Sequence, residues 1–206
     1  LKIVQTAKRV RRTPENARAE ILAAAEAALR DTDFHSLTVE TLMERTGMTR
    51  SLFYHYFKSL DEIVIALFEG IEAEVRGAVD AWLEGDDAVD PRASTVEHLT
   101  RMYEVWREHA NLMRAMEQAA GRSKEAYARW QSHVVESYVD KTEVFIRRQV
   151  ALGRSRVGEP RGVARALILM NLAIATDQVN RPEPETPARL GLIVGHVWNA
   201  AVYDNR

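Results

Sequence analysis

TVETLMERTGMTRSLFYHYF, from Thr38 to Phe57, reads as two short helices joined by a tight turn. The Thr38 hydroxyl can accept from an orphan backbone N–H at the start of the first helix, and Val39, Leu42 and Met43 give that helix one apolar face. Gly47 stands where a left-handed residue would end it. Met48 fills the turn and Thr49 caps the second helix. The second helix turns Leu52, Phe53, Tyr56 and Phe57 inward, leaving Arg50, Ser51, Tyr54 and His55 at its start and along its outer side. A short helix with a guanidinium, hydroxyls and an imidazole near its N-terminus suits the DNA major groove. An Arg fork can read guanine edges, and Tyr or Thr hydroxyls can bind phosphates.

A helix hairpin whose aromatic residues only pack inside an all-helical core would have the same spacing. The longer stretch LTVETLMERTGMTRSLFYHYFKSLDEI is more particular: it resembles the DNA-binding signature of TetR-type transcription regulators. Thr38-Val39, Gly47, the hydroxyl of Thr49, the run Leu52 to Phe57 and the acidic pair Asp61-Glu62 carry the resemblance. Met43 and Thr46 stand where the family usually has Ala, and Leu60 where it usually has Lys. The resemblance implies that Arg50 and Ser51, with Leu52 and His55 beside them, face bases. Thr38, Thr49, Tyr54 and Lys58 then face phosphates.

Apolar residues make up 46% of the 206 and charged residues 28%, the balance of a globular chain large enough for one large or two small domains. No uninterrupted apolar run is long enough for a membrane span. KIVQTAKRVRR lacks the apolar core of a secretion signal. With no cysteine, a disulfide framework and thiolate chemistry are excluded, which fits a reducing cytoplasm. Residues 1–58 hold 10 Lys/Arg against 7 Asp/Glu, whereas residues 59–206 hold 18 against 23. The basic end is therefore the part suited to a polyanion. Lys8, Arg9, Arg11 and Arg12 form either a solvated tail or an arm that follows the duplex.

Prolines punctuate the chain at expected helix boundaries. Thr13-Pro14 opens a first helix with Ile21, Leu22, Ala25, Ala28 and Leu29 inward, ending near Asp31. Phe34 and Leu37 close a three-helix unit. Ser59 begins a fourth helix in which Ile63, Val64, Leu67, Phe68, Ile71, Val75, Val79, Trp82 and Leu83 keep helical spacing over about 37 Å, until Gly85, Asp86, Asp87 and Asp90-Pro91 stop it. Residues 92–120 form one long or two broken helices, and another helix runs from about Lys124 to Leu152. Helices from Val163 to about Val179 and from Leu190 to Tyr203 finish the chain. The reading is all-α, with about nine helices and no strand alternation. Residues 1–58 form a helix-turn-helix DNA-binding domain with a basic arm, and residues 59–206 a helical effector-binding and dimerisation domain.

The last two helices carry more apolar surface than one solvent-facing helix tolerates. They form either a central pair within one subunit or a four-helix bundle across a two-fold axis. A dimer would also place two reading helices about 34–36 Å apart, the spacing of a palindromic operator.

Met102, Trp106, Met113, Met116, Trp130, Phe145 and Trp198 are large and adaptable, with Asn171 as a polar anchor among them. Such residues line small-molecule cavities, and at helical spacing they also build plain core. HANLMRAMEQAA, ALILMN and HVWNAAVYDNR resemble the ligand domain of the mycobacterial ethionamide-activation branch of the same family. That resemblance implies an apolar tunnel, with Met102, Trp106, Asn171 and Trp198 at lining positions, and an apolar or amphipathic effector.

No HExxH, Gly-rich phosphate loop or GxSxG occurs, and no metal, cofactor or enzymatic activity is expected. The expected function is a ligand-responsive repressor of TetR type, homodimeric through its last two helices and acting on double-stranded DNA without membrane involvement. The rival is an all-α small-molecule binding protein or enzyme that never meets DNA.

Overall fold

The computed structural model describes residues 13–71 and 90–204, and these are helical with no strand among them. Helix α1, Pro14–Asp31, starts where Thr13 accepts from the Asn16 N–H at 3.3 Å and buries Ala17, Ile21, Ala25, Ala28 and Leu29. A 3₁₀ turn, Phe34–Ser36, places Phe34 and Leu37 in the core. Helices α2, Val39–Thr46, and α3, Arg50–Tyr56, complete the three-helix unit.

Helix α4 covers residues 60–71 as described. Ser59 accepts the Glu62 N–H at 3.3 Å and the Glu62 carboxylate accepts the Lys58 N–H at 2.6 Å, so only Lys58 and Ser59, both tied to the helix start, separate it from buried Phe57. Ile63, Val64, Ile65, Phe68 and Ile71 are buried, and Leu67 packs against them. The expected inward residues Val75, Val79, Trp82 and Leu83, the stop at Gly85, Asp86 and Asp87, and the basic cluster at Lys8, Arg9, Arg11 and Arg12 lie outside the described residues.

Asp90 caps helix α5, Pro91–Glu108, and only His109 separates it from α6, Ala110–Arg122, so the stretch is two helices. Ser123 then caps α7, Lys124–Trp130. The single regular helix expected from Lys124 to Leu152 is interrupted by a π-helical segment, Gln131–Glu136, before α8, Ser137–Ala151. A π turn takes in extra residues and shifts the register of the faces, which apolar spacing alone does not reveal. Helices α9, Pro160–Asn180, and α10, Pro187–Tyr203, begin at prolines three residues ahead of the apolar periodicity.

The body is built by α10 lying along α5 and α9 along α8, while α9 and α10 touch each other little. Gly191 and Gly195 face Thr100 and Val96, which lets α10 approach α5 at backbone distance. The Asn199 amide donates to the Arg92 carbonyl at 3.2 Å, and Arg92 pairs with Asp204 at 2.6 Å. Helix α9 is long and apolar enough to cross a membrane by length and composition. In this structure it packs on α8, and Arg161 reaches Asp140, Glu143 and Glu136 at 2.7, 2.9 and 3.1 Å. The three-helix unit is tied to the body by α6. The Asn111 amide donates to the Arg30 carbonyl at 2.9 Å and the Arg122 guanidinium lies 4.7 Å from the Phe34 ring centroid, while Arg122 also pairs with Asp61 of α4 at 2.9 Å.

Candidate nucleic-acid interface and effector region

The turn between α2 and α3 is locally determined. Thr38 accepts the Thr41 N–H at 3.1 Å while the Thr41 hydroxyl accepts the Thr38 N–H at 3.2 Å, a reciprocal cap. Gly47 has φ 64°, where a side chain would be strained. Thr46 has a role the sequence did not reveal: its hydroxyl donates to the Met43 carbonyl at 2.9 Å and accepts the Met48 N–H at 3.2 Å, stitching the turn shut. Met43 is buried, so this departure from the family's usual Ala is absorbed by packing. Thr49 accepts the Leu52 N–H at 3.3 Å.

Phe53 and Phe57 anchor α3 from beneath, with Leu52 and Tyr56 half-buried. Arg50, Ser51, Tyr54 and His55 are all exposed on α3, as are the flanking Thr38, Thr49 and Lys58. The structure thus brings Arg50, Ser51, Tyr54 and His55 onto the solvent side of one helix, with capping threonines nearby. Arg50 pairs with Glu40 of α2, its guanidinium lies 5.5 Å from the Tyr54 ring centroid, and it reaches the Tyr54 hydroxyl at 3.4 Å. The Tyr54 hydrogen bond and the Glu40 carboxylate both hold the guanidinium above its ordinary pKa. Glu40 was not singled out from the sequence, because its ten-residue separation from Arg50 matches no single-helix spacing.

The expected effector residues do not share one described cavity. Trp106, 8% exposed, lines a cleft of about 290 Å³ between α5, α6, the end of α9 and the start of α10. Met116 and Trp130 line a small gap of about 10 Å³ against α4, where the Trp130 and Phe68 ring centroids are 4.9 Å apart. Asn171 and Trp198 are both buried and bonded to each other, the indole N–H donating to the amide oxygen at 3.0 Å. Met113 and Phe145 are buried and Met102 is half-buried; none of these three lines the described cavities. Tyr103 and Arg107 of the cleft sit one turn apart on α5, whereas Arg114 comes from α6 and Arg181 follows α9, so helical spacing joins only the first two. Among the described residues, no group of His, Asp and Glu is placed to hold a metal ion.

A helix-turn-helix presented by a three-helix unit, followed by a larger helical body, is the architecture of bacterial one-component regulators. The family description "Bacterial regulatory proteins, tetR family" matches residues 21–67, and "Transcriptional regulator EthR, C-terminal domain" matches residues 95–204, more than half of the chain. The chain therefore belongs to the TetR family of DNA-binding transcriptional regulators, with a C-terminal domain of the EthR kind.

EthR of Mycobacterium tuberculosis is 25% identical over 193 residues, covering 90% of this chain and 87% of that one. EthR of Mycolicibacterium smegmatis is 24% identical over 187 residues, covering 90% and 85%. Among solved structures, a SmeT–triclosan complex is 25% identical with a TM-score of 0.69, covering 92% of this chain and 93% of that one. FadR of Bacillus subtilis, in complex with stearoyl-CoA, has a TM-score of 0.70 at 15% identity, covering 90% and 97%, and shares the fold. These relatives are named as transcriptional regulators, not enzymes.

Proposed function

We propose that this chain is a ligand-responsive repressor that binds a palindromic operator as a homodimer and is released by an apolar or amphipathic effector. Residues 1–58 bind DNA, and residues 59–206 dimerise and hold the effector. The observation that carries this reading is the exposed row of Arg50, Ser51, Tyr54 and His55 on a helix whose other side is locked by Phe53 and Phe57. Arg50 and Ser51 read bases with Leu52 and His55 beside them, while Thr38, Thr49, Tyr54 and Lys58 hold phosphates. Dimerisation is supported by apolar side chains left in solvent on the last two helices: Leu192 is 62% exposed, Ile193 49%, Val197 42% and Leu169 42%. The central pairing of α9 and α10 within one subunit, the other reading of their apolar surface, has little contact to support it.

The effector acts by population shift, binding better to a state in which α4 has tilted and the two reading helices no longer match successive grooves. The slack-free start of α4 and the Arg122–Asp61 pair support such coupling, since movement of α6 would be felt by α4. Effector and operator must then weaken each other by the same factor. The decisive test titrates an inverted-repeat duplex and a scrambled one at two salt concentrations. A steep salt dependence with preference for the repeat is expected, and equal salt-insensitive binding to both would refute the reading.

Arg50→Ala is expected to weaken operator binding by about 1–3 kcal/mol and to relax one base position, whereas Tyr54→Phe weakens all sequences alike. Competition with single-base variants of the operator separates these outcomes. For the effector region, Trp106→Ala is expected to spare DNA affinity and change the ligand response. Asn171→Ala does the same and also removes the amide oxygen that accepts the buried Trp198 indole N–H, a stability loss of about 1–3 kcal/mol measurable by urea unfolding.

A further inference from the structure

We infer that the cleft beneath the α9–α10 turn is a binding site for small amphipathic organic anions, monocarboxylates with an aromatic or medium-length apolar body. Its volume, about 290 Å³, is at the lower end of the range for small-molecule sites and fits a ligand with a single short body. Its apolar wall is Trp106, Leu190 and the ring of Tyr103, residues that are otherwise buried. The charged lining is three arginines, Arg107, Arg114 and Arg181, against one carboxylate, Glu185.

Two of those four charges are already compensated. Arg181 pairs with Asp177 at 2.8 Å and Glu185 with Arg189 at 2.9 Å. Arg107 is exposed and has no ion-pair or hydrogen-bond partner among the described residues. Arg114 is half-buried, with Nε fixed on the Val179 carbonyl at 3.2 Å, which orients its guanidinium while leaving the terminal nitrogens without a described acceptor. An uncompensated pair of guanidinium groups beside an indole wall favours a carboxylate, which accepts two parallel N–H bonds from an Arg fork.

Tyr103, which also lines the cleft, is 2% exposed, and its hydroxyl is shut off from solvent with no hydrogen-bond partner among the described residues. Burial raises the phenol above its ordinary pKa, so it stays a donor at neutral pH.

The site differs from the interior Asn171–Trp198 pair and stands next to the junction with the DNA-binding unit. Arg114 also lines a cavity of about 200 Å³ formed with residues 30–34 at the end of α1, and Asn111, one turn earlier on α6, bonds the Arg30 carbonyl. A ligand held by Arg114 is therefore positioned to bias that junction.

The test is calorimetric titration of the full chain with octanoate and with octan-1-ol at fixed ionic strength, without DNA, so that it stands apart from the operator reading. Octanoate is expected to bind about tenfold more tightly than the alcohol. Arg107→Gln is expected to remove that advantage without changing alcohol binding, and Arg107→Lys to restore part of it. Equal affinity for the two ligands, no binding of either, or an Arg107→Gln variant that keeps the full preference would overturn the assignment.

Discussion

Gly191→Ala is expected to destabilise the fold by about 3 kcal/mol, read as a lower urea midpoint at fixed protein concentration. A Cβ at Gly191 would stand 1.9 Å from the Thr100 Oγ1, 2.9 Å from the Thr100 nitrogen and 3.0 Å from its Cα. The first contact could be relieved only if the Thr100 hydroxyl abandoned its 2.8 Å bond to the Val96 carbonyl. The other two are backbone, so they yield only if α10 withdraws from α5. One turn on, a Cβ at Gly195 would meet the Val96 Cγ2 at 2.7 Å, so the same face of α10 is closed at two levels.

Two comparisons make the prediction specific. Gly121→Ala, a helical glycine with open space around its missing Cβ, should be neutral or stabilise by about 0.5–1 kcal/mol. Thr100→Ala should rescue Gly191→Ala in part, because it removes the hydroxyl clash and leaves the backbone one. If Gly191→Ala left the midpoint unchanged, the close α5–α10 packing would be wrong. Because Leu192, Ile193 and Val197 are exposed on α10, the same substitution should also weaken self-association if the proposed dimer face is right.

What the sequence announced and what it concealed divide by range. The caps at Thr38 and Thr49, the left-handed Gly47 and the burial of Phe53 and Phe57 depend on neighbours within one or two turns, and the 3.6-residue period exposes them directly. The helix start at Pro14 follows from proline's missing N–H for the same reason, whereas the starts at Pro91, Pro160 and Pro187 lie one to three residues ahead of where the apolar spacing begins. The π segment at 131–136 lies beyond this kind of reading, since its residues are ordinary helix formers and only packing selects the wider turn.

Pairings between helices were hidden more thoroughly. Glu40 with Arg50, Asn171 with Trp198, and Gly191 with Thr100 each depend on how two helices cross. Asn171 illustrates the limit well. Its embedding in ALILMN indicated that the amide needs a partner, but not that the partner is an indole 27 residues later. Likewise, the apolar excess of α9 and α10 was plain in the sequence, whereas their separation onto α8 and α5 was not.

Acid sensitivity centred on His98 is the second large effect. His98 lies on α5 and is 9% exposed; burial, with a smaller contribution from the Arg101 charge, lowers its pKa from 6.5 to about 4. At pH 7.5 the imidazole is neutral both folded and unfolded, so it contributes nothing to the pH dependence there. Between 6.5 and about 4 the unfolded chain binds a proton that the folded chain refuses, so stability falls as the pH falls through that window. Going from pH 7.5 to 5 this amounts to about 2 kcal/mol, and below the folded pKa the loss levels off at about 3 kcal/mol.

Carboxylates titrate over part of the same range, so the informative quantity is the difference between the parent chain and His98→Phe, which keeps an aromatic ring and removes the proton site. Urea unfolding at pH 7.5 and at pH 5 should give a drop about 2 kcal/mol smaller for the variant, whatever its absolute stability. Identical drops in the two proteins would mean that the imidazole is hydrated or charged in the folded state, contrary to its burial on α5.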